Sequence, residues 1–474
     1  MVVVLARVVL LDVEPHLTPE RLAITCEPMT RWIVLGSLPL WSMLLGAVAA
    51  KGAEELPILF VHGNGDSAAL WQTIIWRFES NGYDPSLLFA IDMPHPAAPA
   101  EDSSPEPNRS TTRDQLESLI AEVESILETT GREKLVLIGS SRGGNVIRNY
   151  VRNAGGDRRV ALAILCGTPN HGVSAKGVDL DNEFNGMGHF LSSLNRGTEV
   201  PPGVPFVTIR SDRNDKYAQP TGEFLGYPGE PTGVSYDGPE LRSATNVVLP
   251  GLDHREVAFH PRAFREQFLA ITGREPERVE ILPETRSWLD GIVSGYENEA
   301  PTNLPLAGAR VVVYETDTEN GLRKTAPLRD VVVDERGHWG PFEASPTASY
   351  EFVVSSEGYP TIHYYRSPFP RSSRYVNLRL APLEAFVGKR PSPAPGYVVV
   401  MSRPRGYFGH GRDRFTIGGE TPDGVNEGVP GTSMAVRFFD ADSQPVPVVF
   451  NDETIVVRVH PLSENRITVA EFHY

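Results

Sequence analysis

The chain has 474 residues, 40% of them hydrophobic and 22% charged, an ordinary globular composition with length enough for two or three domains. Its formal charge of -16, with no Lys/Arg-rich run to offset it, excludes nucleic acid as a partner. With only two cysteines it also excludes a disulfide scaffold.

Residues 1–50 read as a leader. From Met29 the chain shows a positive charge at Arg31, an apolar core, and Ala47 and Ala49 placed as an A-x-A cleavage site, the pattern of a secretory signal peptide. An uncleaved membrane anchor is the alternative. Translation is expected to start at Met29, and the product to be secreted or periplasmic, with no stable membrane span once the signal is cleaved. Cys26 falls in the leader. Cys166, at the end of the apolar run Val160–Leu165, reads as a buried structural thiol.

Leu56–Val61 is a strand of the fully buried type, followed by His62-Gly63-Asn64-Gly65-Asp66. A glycine-rich loop directly after such a strand turns backbone N–H groups toward a substrate carbonyl, and Asn64 is the expected donor through its N–H. A simple glycine-rich turn is the alternative. A helix through Leu70, Trp71, Ile74, Ile75 and Phe78 and a strand Leu87–Ile91 follow. Met93–Arg109 is polar and broken by proline, too polar for an apolar lid. A helix Thr112–Thr130 presents Leu116, Leu119, Ile120, Val123, Ile126 and Leu127 on one face and ends at Gly131.

The apolar strand Leu135–Ile138 runs into Gly139-Ser140-Ser141-Arg142-Gly143 and then into a helix with Val146, Ile147, Tyr150 and Val151 on one side. This is a G-x-S-x-G turn between strand and helix, in which glycines two residues either side make room for a strained serine. Ser141 is the candidate nucleophile and the N–H of Arg142 the second oxyanion donor. Strands Val160–Cys166, Pro205–Ile209 and Asn246–Leu249 and a helix Pro261–Thr272 continue the alternation, which implies a parallel, doubly wound sheet. The loop Asp179–Asn185 lacks the glycine and glutamate of a calcium loop and reads as a solvated acidic loop.

A serine nucleophile needs a base, and the base needs a carboxylate to fix its tautomer and stabilise the imidazolium. After Ile209 come Asp212 and Asp215, and after Leu249 comes His254. The order Ser141, Asp215, His254 is expected. Asp212 competes with Asp215, while His62 belongs to the glycine-rich loop and His260 directly precedes a helix.

The set P-I-L-F-V-H-G-N-G, L-V-L-I-G-S-S-R-G-G, L-C-G-T-P-N-H-G, S-D-R-N-D-K-Y-A-Q-P and G-L-D-H resembles the α/β-hydrolase lipases and esterases across residues 56–272. The resemblance implies hydrolysis of carboxylic esters through an acyl-enzyme, without a cofactor or metal. It departs from many relatives at Ser140, where they have histidine, and in lacking an apolar lid.

Beyond Gly273, R-E-P-E-R-V-E-I-L-P-E-T reads as a linker, and short β-like runs follow: Ala309–Tyr314, Val331–Asp334, Tyr350–Ser355, Tyr375–Leu380, Tyr397–Ser402, Met434–Phe439, Thr454–Val459 and Arg466–Phe472. Leu306–Tyr314 with Gly340-Pro341-Phe342 resembles transthyretin-like or carboxypeptidase-regulatory-like modules. Thr361–Phe369 looks like the accessory domain of archaeal lipases that join an α/β-hydrolase to a C-terminal β domain. The expected fold is an α/β-hydrolase domain over 51–275 followed by an all-β sandwich or barrel region. That region divides into 283–383 and 384–474, the latter a second module or a continuation of the first. The expected activity is a lipase or esterase on medium- or long-chain acyl esters, acting at a lipid or polymer surface. An aliphatic polyester depolymerase and an inactive binding protein on the same fold are the alternatives.

Overall fold

The computed structural model describes residues 55–388, 396–442 and 444–474. The leader, its start at Met29 and Cys26 lie outside the described residues.

Ile58–Val61 (β1), Leu88–Ile91 (β2), Leu135–Ser140 (β3), Val160–Cys166 (β4) and Phe206–Arg210 (β5) form one sheet with Thr245–Val248. The order is β2-β1-β3-β4-β5 and then Thr245–Val248, and every neighbouring pair is parallel. Alternate residues of one strand go to opposite faces, which is why these strands are apolar throughout. Ile58, Phe60, Val136, Ile138 and Ile164 pack with Trp71, Ile74, Phe78, Phe264 and Phe268. Leu59, Val61, Leu137, Ala163 and Leu165 pack with Leu119, Val123, Ile126 and Ile147. Each such side chain contributes about 1.5–3 kcal/mol on burial. The helices Gln72–Ser80 (α1) and Pro261–Thr272 therefore cover one face, and Thr112–Thr130 (α2) and Arg142–Asn153 (α3) the other. A capping box of Thr111 and Asp114 opens α2.

The β region is built on a seven-stranded sheet, in the order Arg329–Val332, Arg310–Thr316, Ser349–Ser355, Thr361–Arg366, Arg466–Glu471, Tyr397–Ser402, Met434–Phe439. Arg466–Glu471 pairs in parallel with both of its neighbours, and the other pairs are antiparallel. The sheet thus takes strands from both sides of residue 384. One face packs on Trp339, Phe342 and Phe369. The other packs on Phe408, Phe415 and Phe450 and on a three-stranded sheet of Phe415–Ile417, Val446–Phe450 and Glu453–Val457.

The α/β and β parts form one compact unit. Trp76 of α1 is fully buried in the β region's core, and its Nε1–H donates to Ser372 O at 2.8 Å. The edge strand β2 is covered: Ala90 N–H donates to Tyr375 Oη at 2.9 Å, and Arg374 Nη2 donates to Leu88 O at 2.7 Å. The stretch expected as a free linker is strapped to α1. Arg77 Nε donates to Val279 O at 3.0 Å and Asn81 Nδ2 to Arg278 O at 2.8 Å, satisfying groups around the helix end. Among the described residues no helix is long and apolar enough to cross a membrane.

Candidate active site

β3 ends at Ser140 and α3 begins at Arg142, so Ser141 makes the turn alone, at φ 52° and ψ -120°. For a residue with a Cβ this backbone conformation is strained by roughly 1–3 kcal/mol, and it persists only where the surroundings enforce it. Here a Cβ on Gly139 would come within 2.6 Å of Gly144 N. On Gly143 it would run into Val61 O and lie 2.6 Å from His62 O. Only hydrogen fits on either side, and Ser141 N–H donates to Cys166 O at 2.8 Å, tying the turn to β4.

The loop after β5 brings Asp215, and the loop after Thr245–Val248 brings His254. The two side chains meet, with His254 Nδ1 2.9 Å from Asp215 Oδ1 and 3.0 Å from Oδ2. The carboxylate is steadied by Tyr217 N–H at 2.9 Å, and the Tyr217 ring stands edge-on to His254 with centroids 4.7 Å apart. An Nδ1–H donated to Asp215 leaves the lone pair on Nε2, which is buried without a hydrogen-bond partner. Nε2 is the atom that can receive a proton. Asp212 is not placed for this role: it accepts from Asn214 N at 3.1 Å and Gly251 N at 3.1 Å and braces the two loops.

Ser141, His254 and Asn64 line one cavity of about 180 Å³, together with Val173, Phe184, Leu225 and Tyr407. Arg142 is the first residue of α3, where a backbone N–H has no partner inside the helix. The Asn64 side chain has a separate task, its Oδ1 accepting Ala98 N–H at 2.8 Å. A second cleft, of about 480 Å³, borders Asp215 and His254 and shares Pro169, Tyr217 and His254 with the cavity. Its wall mixes polar side chains, Thr168, Asn170, Arg210 and Asn246, with apolar ones, Ile209, Val234, Tyr236 and Leu241.

The Arg142 side chain does not line this cavity. It is buried and donates to both oxygens of Glu183, at 2.9 Å from Nε and 2.5 Å from Nη2, and also to Pro96 O and Ser110 O. One guanidinium thus joins the first turn after Ser141 to two loops that flank the site. Glu183 corrects the reading of residues 179–185 as a solvated acidic loop, because it turns inward to this cation. Burial pushes its carboxyl up, and Arg142 pulls it back down.

The β region holds three of the four loops of the site. Asn303 Nδ2 donates to Asp66 O at 2.9 Å and Arg379 Nη1 to Gly65 O at 3.3 Å, fixing the loop of Asn64. Lys216 Nζ, beside Asp215, donates to Gly431 O at 2.8 Å. Burial and the nearby Arg255 lower the Lys216 amine to about 8. Asp253, the residue before His254, is fully buried and accepts from Tyr407 N at 2.7 Å and Arg403 Nη1 at 3.3 Å. Glu256 takes Arg403 at 2.5 Å and Arg412 at 2.8 Å. These contacts were not anticipated from the sequence, where the one hint is an acidic residue beside the base.

The remaining candidates have structural roles. His62, kept neutral by burial, accepts Met93 N–H at Nε2 at 3.0 Å and donates from Nδ1 to Gly63 O at 2.8 Å. His260 caps Pro261–Thr272 by accepting Arg262 N–H at 3.1 Å, and burial lowers it to about 4. Cys166 is buried and its thiol is pushed up to about 12, far from a reactive thiolate. Glu351, His363 and His460 bring metal-ligating atoms within 4.8 Å of one another. His363 is already engaged at both nitrogens, accepting from Arg466 at Nε2 and donating from Nδ1 to Glu351, and the His460 ring stacks on it with centroids 3.6 Å apart.

Residues 57–194 match the family model described as the alpha/beta hydrolase fold, and residues 288–383 match the model described as the lipase C-terminal domain. Among solved structures, the mature form of a Bacillus licheniformis lipase aligns at 21% identity over 46% of this chain and 92% of its own, with a TM-score of 0.34. Its propeptide form aligns at 14% identity over 85% of this chain and 96% of its own, TM-score 0.35. Aspergillus fumigatus lipase B aligns at 15% identity over 48% of this chain and 54% of its own, TM-score 0.33.

Proposed function

For a chain of the lipase/esterase-like α/β-hydrolase family that carries a lipase C-terminal domain, we propose a serine mechanism of ester hydrolysis with an acyl-enzyme on Ser141. The observation that carries it is the convergence on one cavity of a strained Ser141 and a His254 whose Nδ1 is held by Asp215. His254 Nε2 takes the proton from Ser141 as Oγ attacks the ester carbonyl. Asp215 stabilises the imidazolium so formed, and the N–H groups of Asn64 and Arg142 donate to the oxyanion; one such donor is worth about 10²–10³ in rate. His254 then protonates the leaving alcohol, and a water molecule, activated the same way, releases the acid. The bidentate grip of Arg142 on Glu183 supports this reading, because it fixes the residue whose N–H must point at the oxyanion.

Export is part of the proposal, on the strength of the Met29–Ala50 segment. The activity is tested with p-nitrophenyl esters of two to sixteen carbons. Ser141→Ala is expected to lower kcat by about 10⁶ with an unchanged thermal transition. Comparable turnover by the variant would remove Ser141 from the role, and inactivity of the wild type on every ester would remove the reading.

A further inference from the structure

Among the described residues of the β region, Tyr407 is the one that reaches the wall of the catalytic cavity. It is 4% exposed, and its position is determined from several sides. Its backbone N–H is on Asp253 and its carbonyl accepts from Arg403 and Arg412, both at 2.7 Å. Lys216 Nζ stands 4.1 Å from the ring centroid and the Arg255 guanidinium 5.2 Å from it. Arg255 is itself anchored on Asp66 at 2.7 Å. A ring held by two cations and by its own backbone is a fixed surface rather than a mobile cover.

In the acyl-enzyme the alcohol has left and the acyl chain is bonded to Ser141. The cavity beside Ser141 therefore takes the first carbons of the acyl chain. That space is about 180 Å³ and is lined on its apolar side by Val173, Phe184 and Leu225. A dry cavity of about 150 Å³ takes one benzene ring, which sets the capacity here at roughly six carbons. Methylene groups beyond that number reach its open mouth and gain less from it. We propose that Tyr407 is the specificity-determining wall of the acyl pocket, which holds about six acyl carbons, so that esters of short acids are the substrates bound best. This rests on the ester-hydrolase reading above, and it places the β region in the wall of the site.

The test measures kcat/KM for p-nitrophenyl butyrate and p-nitrophenyl octanoate, which share a leaving group, with the full chain and its Tyr407→Phe, Tyr407→Leu and Tyr407→Ala variants. Butyrate is expected to be preferred by the wild type. The octanoate-to-butyrate ratio is expected to be unchanged in Tyr407→Phe and to rise about tenfold in Tyr407→Ala, the discrimination that one or two methylene groups in an apolar pocket carry. Tyr407→Leu, which keeps an apolar side chain on the same backbone bonds, should rise by less and covers the case in which the alanine variant does not fold. A ratio within twofold of wild type in both smaller variants would overturn the proposal, as would a wild-type preference for octanoate. A change of that ratio by more than twofold in Tyr407→Phe would also overturn it, since the hydroxyl and not the size of the side chain would then set the preference. Wild type inactive on both esters would instead overturn the parent reading, and this one with it.

Discussion

Glu183→Gln and Arg142→Met break the same buried ion pair from its two ends, and the structure makes their costs different. Arg142 and Glu183 have side chains 1% and 4% exposed. Removing one partner of such a pair costs about 3–5 kcal/mol because a charge is left uncompensated. Glu183→Gln leaves a guanidinium that cannot shed its proton, so its penalty is independent of pH. Arg142→Met leaves a carboxyl already pushed up by burial, and with the guanidinium gone it takes a proton instead of staying charged. The cost is then that of holding a proton the unfolded chain would release above about pH 4.3, or about 1.4 kcal/mol per pH unit. That gives about 1 kcal/mol at pH 5 and about 3–4 kcal/mol at pH 7, beyond the lost hydrogen bonds. With an unfolding entropy of about 2.1 cal/mol/K per residue over some 420 residues, 3–5 kcal/mol lowers Tm by about 3–6 °C. Thermal melts of both variants from pH 5 to 8 check this. Equal pH dependence of the two penalties, or a Glu183→Gln protein as stable as wild type, would refute the reasoning.

Three other substitutions follow from the same kind of argument. Asp215→Asn should lower kcat by about 10⁴, the effect of losing the carboxylate that sets the histidine tautomer, while Asp212→Asn should cost far less; steady-state kinetics that ranked them the other way would exchange their roles. Glu453 is half-buried with its carboxyl turned inward, and burial pushes that carboxyl up to about 7, with Ser367 Oγ donating to it at 2.5 Å. Because the folded carboxyl holds its proton longer than the unfolded one, its contribution is full below about pH 4.5 and is lost as pH rises through 7, amounting to about 3 kcal/mol. Glu453→Gln should therefore be more stable than wild type at pH 8 and show a flatter profile in urea melts at pH 5 and 8.

The turn around Ser141 was legible because everything it needs lies within ten residues: an apolar strand, two glycines and an amphipathic helix. The parallel, doubly wound sheet followed from the alternation of apolar runs and helical faces. The pairing of Asp215 with His254 was within reach because each follows a strand of the same sheet, and parallel strands deliver their loops to one edge. Arg142 shows where this kind of reading stops. Its place beside Ser141 is written in five residues, but the partner of its side chain is 41 residues away in a loop without periodicity. Arg403 and Tyr407 are further off still, about 150 residues from Asp253, in an R-P-R-G-Y stretch that resembles any surface turn. Only tertiary structure shows that these charges are buried against one another. Tyr375–Leu380 was expected as a continuous strand, yet only Leu378–Arg379 is paired as one, because Tyr375 bonds to the edge of the other sheet.

Arg466–Glu471 lies between Thr361–Arg366 and Tyr397–Ser402 and is made by the ribosome after both. Until it arrives, those two strands have no common neighbour and the seven-stranded sheet is two separate pieces. The loop that carries Arg403 and Tyr407 leaves directly from Tyr397–Ser402, so the grip on Asp253 and the wall of the cavity await the same closing strand. Pairings between such distant segments are slow to form. The order of synthesis therefore delays a working site to the end of folding, and a partly made chain carries Ser141 and His254 without the framework that sets them against each other.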